Sequence, residues 1–219
     1  MAAEAPARGR PRWRLHEPTT VLTDVALAVA GVWCAARLAA LTAGAAPLLL
    51  AGAFLILAAS ALLGAVVHGV GPTFGDGVRR PIWKATLLLA LLTNALLLGA
   101  ESVAHAAGPW RWALLAAVGA KLAASAAAAV RRPVFRWIVY DSLATFAAVA
   151  AIEAIAWRAR GAPSAPWMLG AVALSVAAGA LQHFRVSPHR HFNHNDLYHV
   201  VQLAALVLFY RGGLLLAAR

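Results

Sequence analysis

Four of the chain's eight histidines fall within residues 189–199, in the run His189-Arg190-His191-Phe192-Asn193-His194-Asn195-Asp196-Leu197-Tyr198-His199. This polar run leads directly into an apolar stretch. Imidazoles with a carboxylate beside them are what a zinc site uses, and a catalytic zinc keeps three protein ligands and a water. His194 and His199 offer two such ligands, and His68, at the end of an earlier apolar run, offers a third. Asp196, or Asp141 from another run, could serve as a fourth ligand, as a hydrogen-bond partner of a ligand, or as the base acting on a metal-bound water. On a helix Asn195 and Asp196 share a face with His199, and Gln202 follows one turn on. Asn193 or Asn195 can equally act as the helix N-cap, with Asp196 favoured by the positive end of the helix dipole.

The elements that carry these residues are membrane helices. The chain has 219 residues, 62% of them hydrophobic and 12% charged, and a mean hydropathy of +0.73. A soluble domain carries about 25% charged residues, so the bilayer is the solvent that suits this composition. Seven apolar runs, at about 20–42, 46–70, 82–101, 109–130, 134–157, 165–183 and 196–217, each approach the ~20 residues needed to cross the hydrocarbon core. Gly/Pro-rich or Arg-rich separators divide them, the longest at 69–81. Trp83, Trp110, Trp112, Trp137, Trp157 and Trp167 sit at run ends, where interfacial anchors belong. The runs are continuous rather than alternating, which indicates helices and excludes a β-barrel. The expected architecture is an all-α, seven-helix membrane bundle at 19–219, preceded by a basic, disordered tail at 1–18 containing Arg8, Arg10, Arg12 and Arg14.

The net charge of +11 is spread in short clusters between the runs, so it fits lipid headgroups and topology, not nucleic acid. With the N-terminus inside, twelve Lys/Arg face the cytosol and six, including Arg37, Arg211 and Arg219, face away, while Lys121 lies within a span. The expected orientation is therefore N-inside. It brings Asp24, His68, Asp141 and residues 194–199 to one cytosolic layer. Glu101, His105 and Glu153 fall toward the other face and read as interfacial. Ionisable groups inside a span are functional candidates by default. His183, His189 and His191 read as interfacial. Asn94 and Gln182 read as interhelical contacts, and Ser60 as a donor to a carbonyl of its own helix. The single cysteine, Cys34, reads as a packed residue. The Ala/Arg-rich composition suggests a bacterial plasma membrane, with lipids as the partners.

Two stretches resemble the CREST superfamily of seven-helix membrane hydrolases, which includes alkaline ceramidases and the progestin/adiponectin receptors. One runs from Ser60 to His68-Gly69, the other from Asn193 through His199 to Gln202. The resemblance implies a zinc ion held by His68 and His199 and an amide-hydrolysing site. This chain departs from the superfamily pattern: Asn195 stands four residues before His199 where that pattern has His, and Gly64 stands four before His68 where it has Ser. Three readings follow: a zinc-dependent hydrolase of lipid amides or esters, a non-enzymatic membrane protein whose His/Asp cluster is structural, sensory or ion-binding, and a b-type haem protein ligated by His68 and His199.

Overall fold

A computed structural model describes residues 14–216. Seven helices fill it: α1 (Pro18–Leu41), α2 (Ala45–Gly69), α3 (Asp76–His105), α4 (Gly108–Arg131), α5 (Arg136–Arg160), α6 (Ala165–His183) and α7 (His194–Leu216). All seven are long and apolar enough to cross a membrane. Among the described residues the β structure amounts to one bridge, His189 to Phe192, in the α6–α7 connection. The all-helical, seven-helix plan expected from the apolar runs is the plan observed, and it is compatible with a multi-pass membrane protein.

The largest boundary difference is in α3. It starts at Asp76, inside the expected loop, and runs to His105. Asp76 accepts hydrogen bonds from Arg79 at 2.8 Å and Arg80 at 3.0 Å, which ties the charged first turn together. Pro81 lies inside this helix, where it has no N–H for the carbonyl four residues back, and the helix continues through it. Of the expected tail at 1–18, residues 1–13 lie outside the described residues. The His16 backbone N–H donates to the Gly69 carbonyl at 3.0 Å, and α1 already begins at Pro18. Arg8, Arg10, Arg12 and Arg219 lie outside the described residues.

Short connections make consecutive helices antiparallel. α1, α3, α5 and α7 therefore begin at one end of the bundle, called here the first end, and α2, α4 and α6 begin at the second. α1 packs on α2 and α7, α2 on α3, α3 on α5, α5 on α6, and α6 on α7, so six helices close a ring. α4 stands outside it, against α3, with only Val118 and Ala129 buried. Close approach depends on glycines. A Cβ on Gly31 would stand 2.9 Å from the Phe54 carbonyl oxygen of α2. Small residues at such crossings let membrane helices gain dispersion energy without a hydrophobic driving force. Leu38, Leu50, Met168 and Leu206 are fully buried in the core this creates. At the α5–α6 joint, Gly161 takes the left-handed conformation (φ 62°) that ends α5, and Ala156, Ala162 and Ala165 pack together beneath it.

Candidate functional site

Three buried polar groups and one cavity hold the chemistry of this bundle. The first polar group is the corner where α1, α2 and α7 meet at the first end. Asn193 caps α7, its side-chain oxygen accepting from the Asn195 N–H at 2.7 Å and, more weakly, the Asp196 N–H at 3.4 Å. Asp196 answers by accepting the Asn193 N–H at 2.7 Å, so the pair forms a reciprocal capping box. The other Asp196 oxygen accepts the Thr20 hydroxyl at 2.7 Å. One turn on, His199 Nδ1 lies 3.0 Å from the Thr23 hydroxyl and Nε2 lies 3.3 Å from an Asp24 oxygen. The second Asp24 oxygen is buried without a hydrogen-bond partner, beside Gly64. His68 Nδ1 lies 3.1 Å from Glu17 at the rim.

The structure thus brings His68, Asp24, Asp196 and His199 to one corner, as the sequence suggests, but gives each a different partner. His194 opens α7, half-buried. Asp141 belongs elsewhere. The zinc expected from His68, His194 and His199 needs three converging ligand atoms. Among the described residues, the set that converges within 4.8 Å is Glu101, His105 and Glu153. The corner does not fit the expected zinc. It fits a helix-to-helix tie.

The second group surrounds Asp141 of α5. It accepts Lys121 Nζ at 2.6 Å and the Ser125 hydroxyl at 2.8 Å from α4, and the Asn94 amide at 2.9 Å from α3. Asn94 is the interhelical contact expected of it. This network ties the peripheral α4 to α3 and α5, beside its apolar packing on α3.

The third group is at the second end. Glu101 and Glu153 are fully buried and the His105 side chain is 4% exposed, so all three face the interior of the bundle at that end. His105 Nε2 lies 3.2 Å from Glu153 and 3.5 Å from Glu101. Ser164 donates to the other Glu153 oxygen at 3.1 Å. This buried Glu/His/Glu group could bind a metal ion. The signal for it was present in the sequence: Glu101 and His105 are four residues apart, on one helix face, inside an apolar run.

A cavity of about 480 Å³ lies inside the ring, between α2, α3, α5, α6 and α7. The lining residues of α5, Phe135 to Phe146, and of α6, Ser175 to Phe184, lie in the halves remote from their Ser164 joint. The cavity therefore lies toward the first end of these two helices. Tyr140, Leu143, Val176 and Phe184 of its lining are exposed. The lining is mainly apolar, and its polar points include Asn94, Ser142, Ser175, Gln182, Tyr198 and Gln202. Gln202 donates to Ser175 at 3.2 Å, and Gln182 to Asn195 at 3.2 Å, an α6–α7 contact as expected. Tyr198 stands between the cavity and the corner, with its ring 5.3 Å from that of His199. Ser60 is outside the lining. It donates to the Thr86 carbonyl of α3 at 3.0 Å, not to its own helix.

The chain belongs to a family of unknown function, DUF6962, whose model matches residues 19–218. No curated protein and no solved structure matches it.

Proposed function

We propose that this membrane protein binds a lipid-like amphiphile in the cavity between α5, α6 and α7. The observation that carries this reading is the cavity itself. Its volume of about 480 Å³ falls in the range of small-molecule sites, and its walls are apolar with a few convergent polar groups. Asn94, Ser142 and Gln202 offer amide and hydroxyl groups to a polar head such as an ester, amide or alcohol. The walls formed by Phe54, Leu57, Leu206 and Phe209 suit a hydrocarbon chain. The exposed lining residues Tyr140 and Leu143 of α5 and Val176 of α6 mark where such a molecule would enter sideways from the bilayer.

Binding is favoured over hydrolysis by what lines the cavity. The ionisable lining residues are Tyr140, His183 and Tyr198, and His68, His194, His199, Asp141 and Asp196 are not among them. A hydrolase acting here would need an activated water against the bound head, and its candidate residues stand behind the wall.

Gly179 supplies the test. It lines the cavity, and a Cβ there would meet nothing within 4 Å. Gly179→Leu should fill the cavity without disturbing packing. Gly119→Leu, on the outer helix α4 and equally unobstructed, controls for lipid bound at the surface. Lipid extracted from detergent-purified protein would be quantified by mass spectrometry. A species retained by wild type and Gly119→Leu, but depleted at least fivefold in Gly179→Leu, is the expected result. Equal lipid in all three proteins would sink the reading.

A further inference from the structure

Glu101, His105 and Glu153 form a chemical problem that the rest of the bundle leaves open. Both carboxyl groups are fully buried, and both oxygens of Glu101 lack a hydrogen-bond partner. Two carboxylates beside a neutral imidazole would bury two negative charges, at a cost of several kcal/mol per uncompensated ion. Arg160 is exposed and reaches the imidazole and backbone of His105, and among the described residues no Lys or Arg is paired with either carboxylate. A divalent cation would neutralise the group outright and supply the partner Glu101 lacks.

From this geometry we infer that Glu101, His105 and Glu153 bind a divalent transition-metal ion between α3 and α5, at the second end of the bundle. Their ligand atoms lie within 4.8 Å of one another, close enough to share one ion with small adjustments. An imidazole with two carboxylates suits zinc or manganese. Magnesium and calcium, which prefer oxygen ligands throughout, fit less well. Ser164 holds the outer oxygen of Glu153 and leaves the inner one facing His105, the kind of supporting bond that orients a metal ligand. The site is separate from the amphiphile cavity, whose lining includes none of the three residues.

His105 constrains how the ion enters. Arg160 can only donate, so its 3.3 Å contact makes Nδ1 an acceptor and puts the ring hydrogen on Nε2, toward Glu153. A metal on Nε2 replaces that hydrogen, and the neutral ring then carries its proton on Nδ1. Arg160 must give up the ring contact, and it still has the His105 carbonyl at 3.3 Å. Arg160→Gln offers an oxygen that can accept the Nδ1 hydrogen. It should bind the ion at least as tightly as wild type.

The test uses the full chain in detergent, stripped with chelator and dialysed against zinc or manganese. Bound ion would be counted by elemental mass spectrometry, and unfolding temperature followed with and without ion. About one ion per chain is expected in wild type, Arg160→Gln and His68→Ala. At least a tenfold loss of affinity is expected in Glu101→Gln/Glu153→Gln and in His105→Ala. Where those variants fail to fold, cobalt decides: wild type should acquire visible absorption bands on cobalt binding, and zinc should abolish them. No ion in wild type after supplementation would overturn the site, as would undiminished binding in Glu101→Gln/Glu153→Gln. A Glu101→Gln protein more stable than wild type, in a wild type indifferent to every ion, would also overturn it and assign the pair to a shared proton.

Discussion

Thr20 donates its hydroxyl hydrogen to Asp196 at 2.7 Å, joining the first turn of α1 to the first turn of α7 across 176 residues. The same carboxylate accepts the Asn193 N–H that opens α7. One buried side chain therefore caps a helix and closes the ring. Asp196→Ala should lose its half of the capping box, a hydrogen bond worth ~1 kcal/mol, and the charge-assisted bond from Thr20, worth ~1.5–3 kcal/mol. The expected destabilisation is about 2–4 kcal/mol in detergent unfolding. Asp196→Asn, which keeps one acceptor, should recover part of it. Thr20→Val should cost about 1 kcal/mol alone and little in the Asp196→Ala background. Additive losses would show that the two residues do not act as a pair.

Among the described residues His199 is the polar partner of Asp24, whose second oxygen has none. Removing the imidazole strands a carboxyl group that is 3% exposed. Breaking a buried pair from one side costs about 3–5 kcal/mol, much of it the penalty of the group left behind. His199→Ala should therefore be severely destabilised, and His199→Ala/Asp24→Asn should regain at least half the loss. The measurement is thermal unfolding of both variants. A double variant no more stable than His199→Ala would mean that His199 acts through Thr23 or through packing instead.

The helices were legible in the sequence because lipid imposes one requirement on every span, an apolar run of sufficient length. The polar clusters were legible only in part. Hydropathy places Asp24, His68, Asp196 and His199 at one end of the bundle, since depth follows from position along each span. It says nothing of which way each side chain points around its helix. Asn195 and His199 illustrate this: Asn195 reaches Gln182 on α6, while His199 reaches Thr23 and Asp24 on α1. Asp141 shares the depth of the corner but turns to α4, because Lys121 lies within that span and needs a counter-charge. The Glu101–His105 spacing was visible as well. Its position near a run end suggested water, whereas the α5–α6 connection covers it with Ser164.

Lys121 and Asp141 make a second buried pair, with the lysine 21% exposed and the carboxylate fully buried. Lys121→Met removes the charge that balances Asp141 and leaves the carboxylate to Ser125 and Asn94. The expected loss is about 3 kcal/mol. The local effect should be detachment of α4, since this network supplies its polar ties to the ring. Limited proteolysis of the 132–135 connection should accelerate in Lys121→Met and return toward the wild-type rate in Lys121→Met/Asp141→Asn. An unchanged rate in the single variant would show that α4 is held by its contacts with α3 alone.

Gly31 and Gly119 separate two roles of glycine within membrane helices. In both positions alanine gains roughly 0.5–1 kcal/mol of helix propensity. A methyl group on Gly119 meets nothing within 4 Å, so Gly119→Ala should keep that gain. On Gly31 it would stand 2.9 Å from the Phe54 carbonyl oxygen and 3.2 Å from the Ala58 Cβ. The first is main chain and cannot swing aside, so α1 and α2 must separate along their length, and overpacking of this kind costs ~1–3 kcal/mol. Gly31→Ala should lower the unfolding temperature and Gly119→Ala should raise it or leave it unchanged. A Gly31→Ala protein as stable as Gly119→Ala would show that the α1–α2 crossing is looser than the 2.9 Å approach implies.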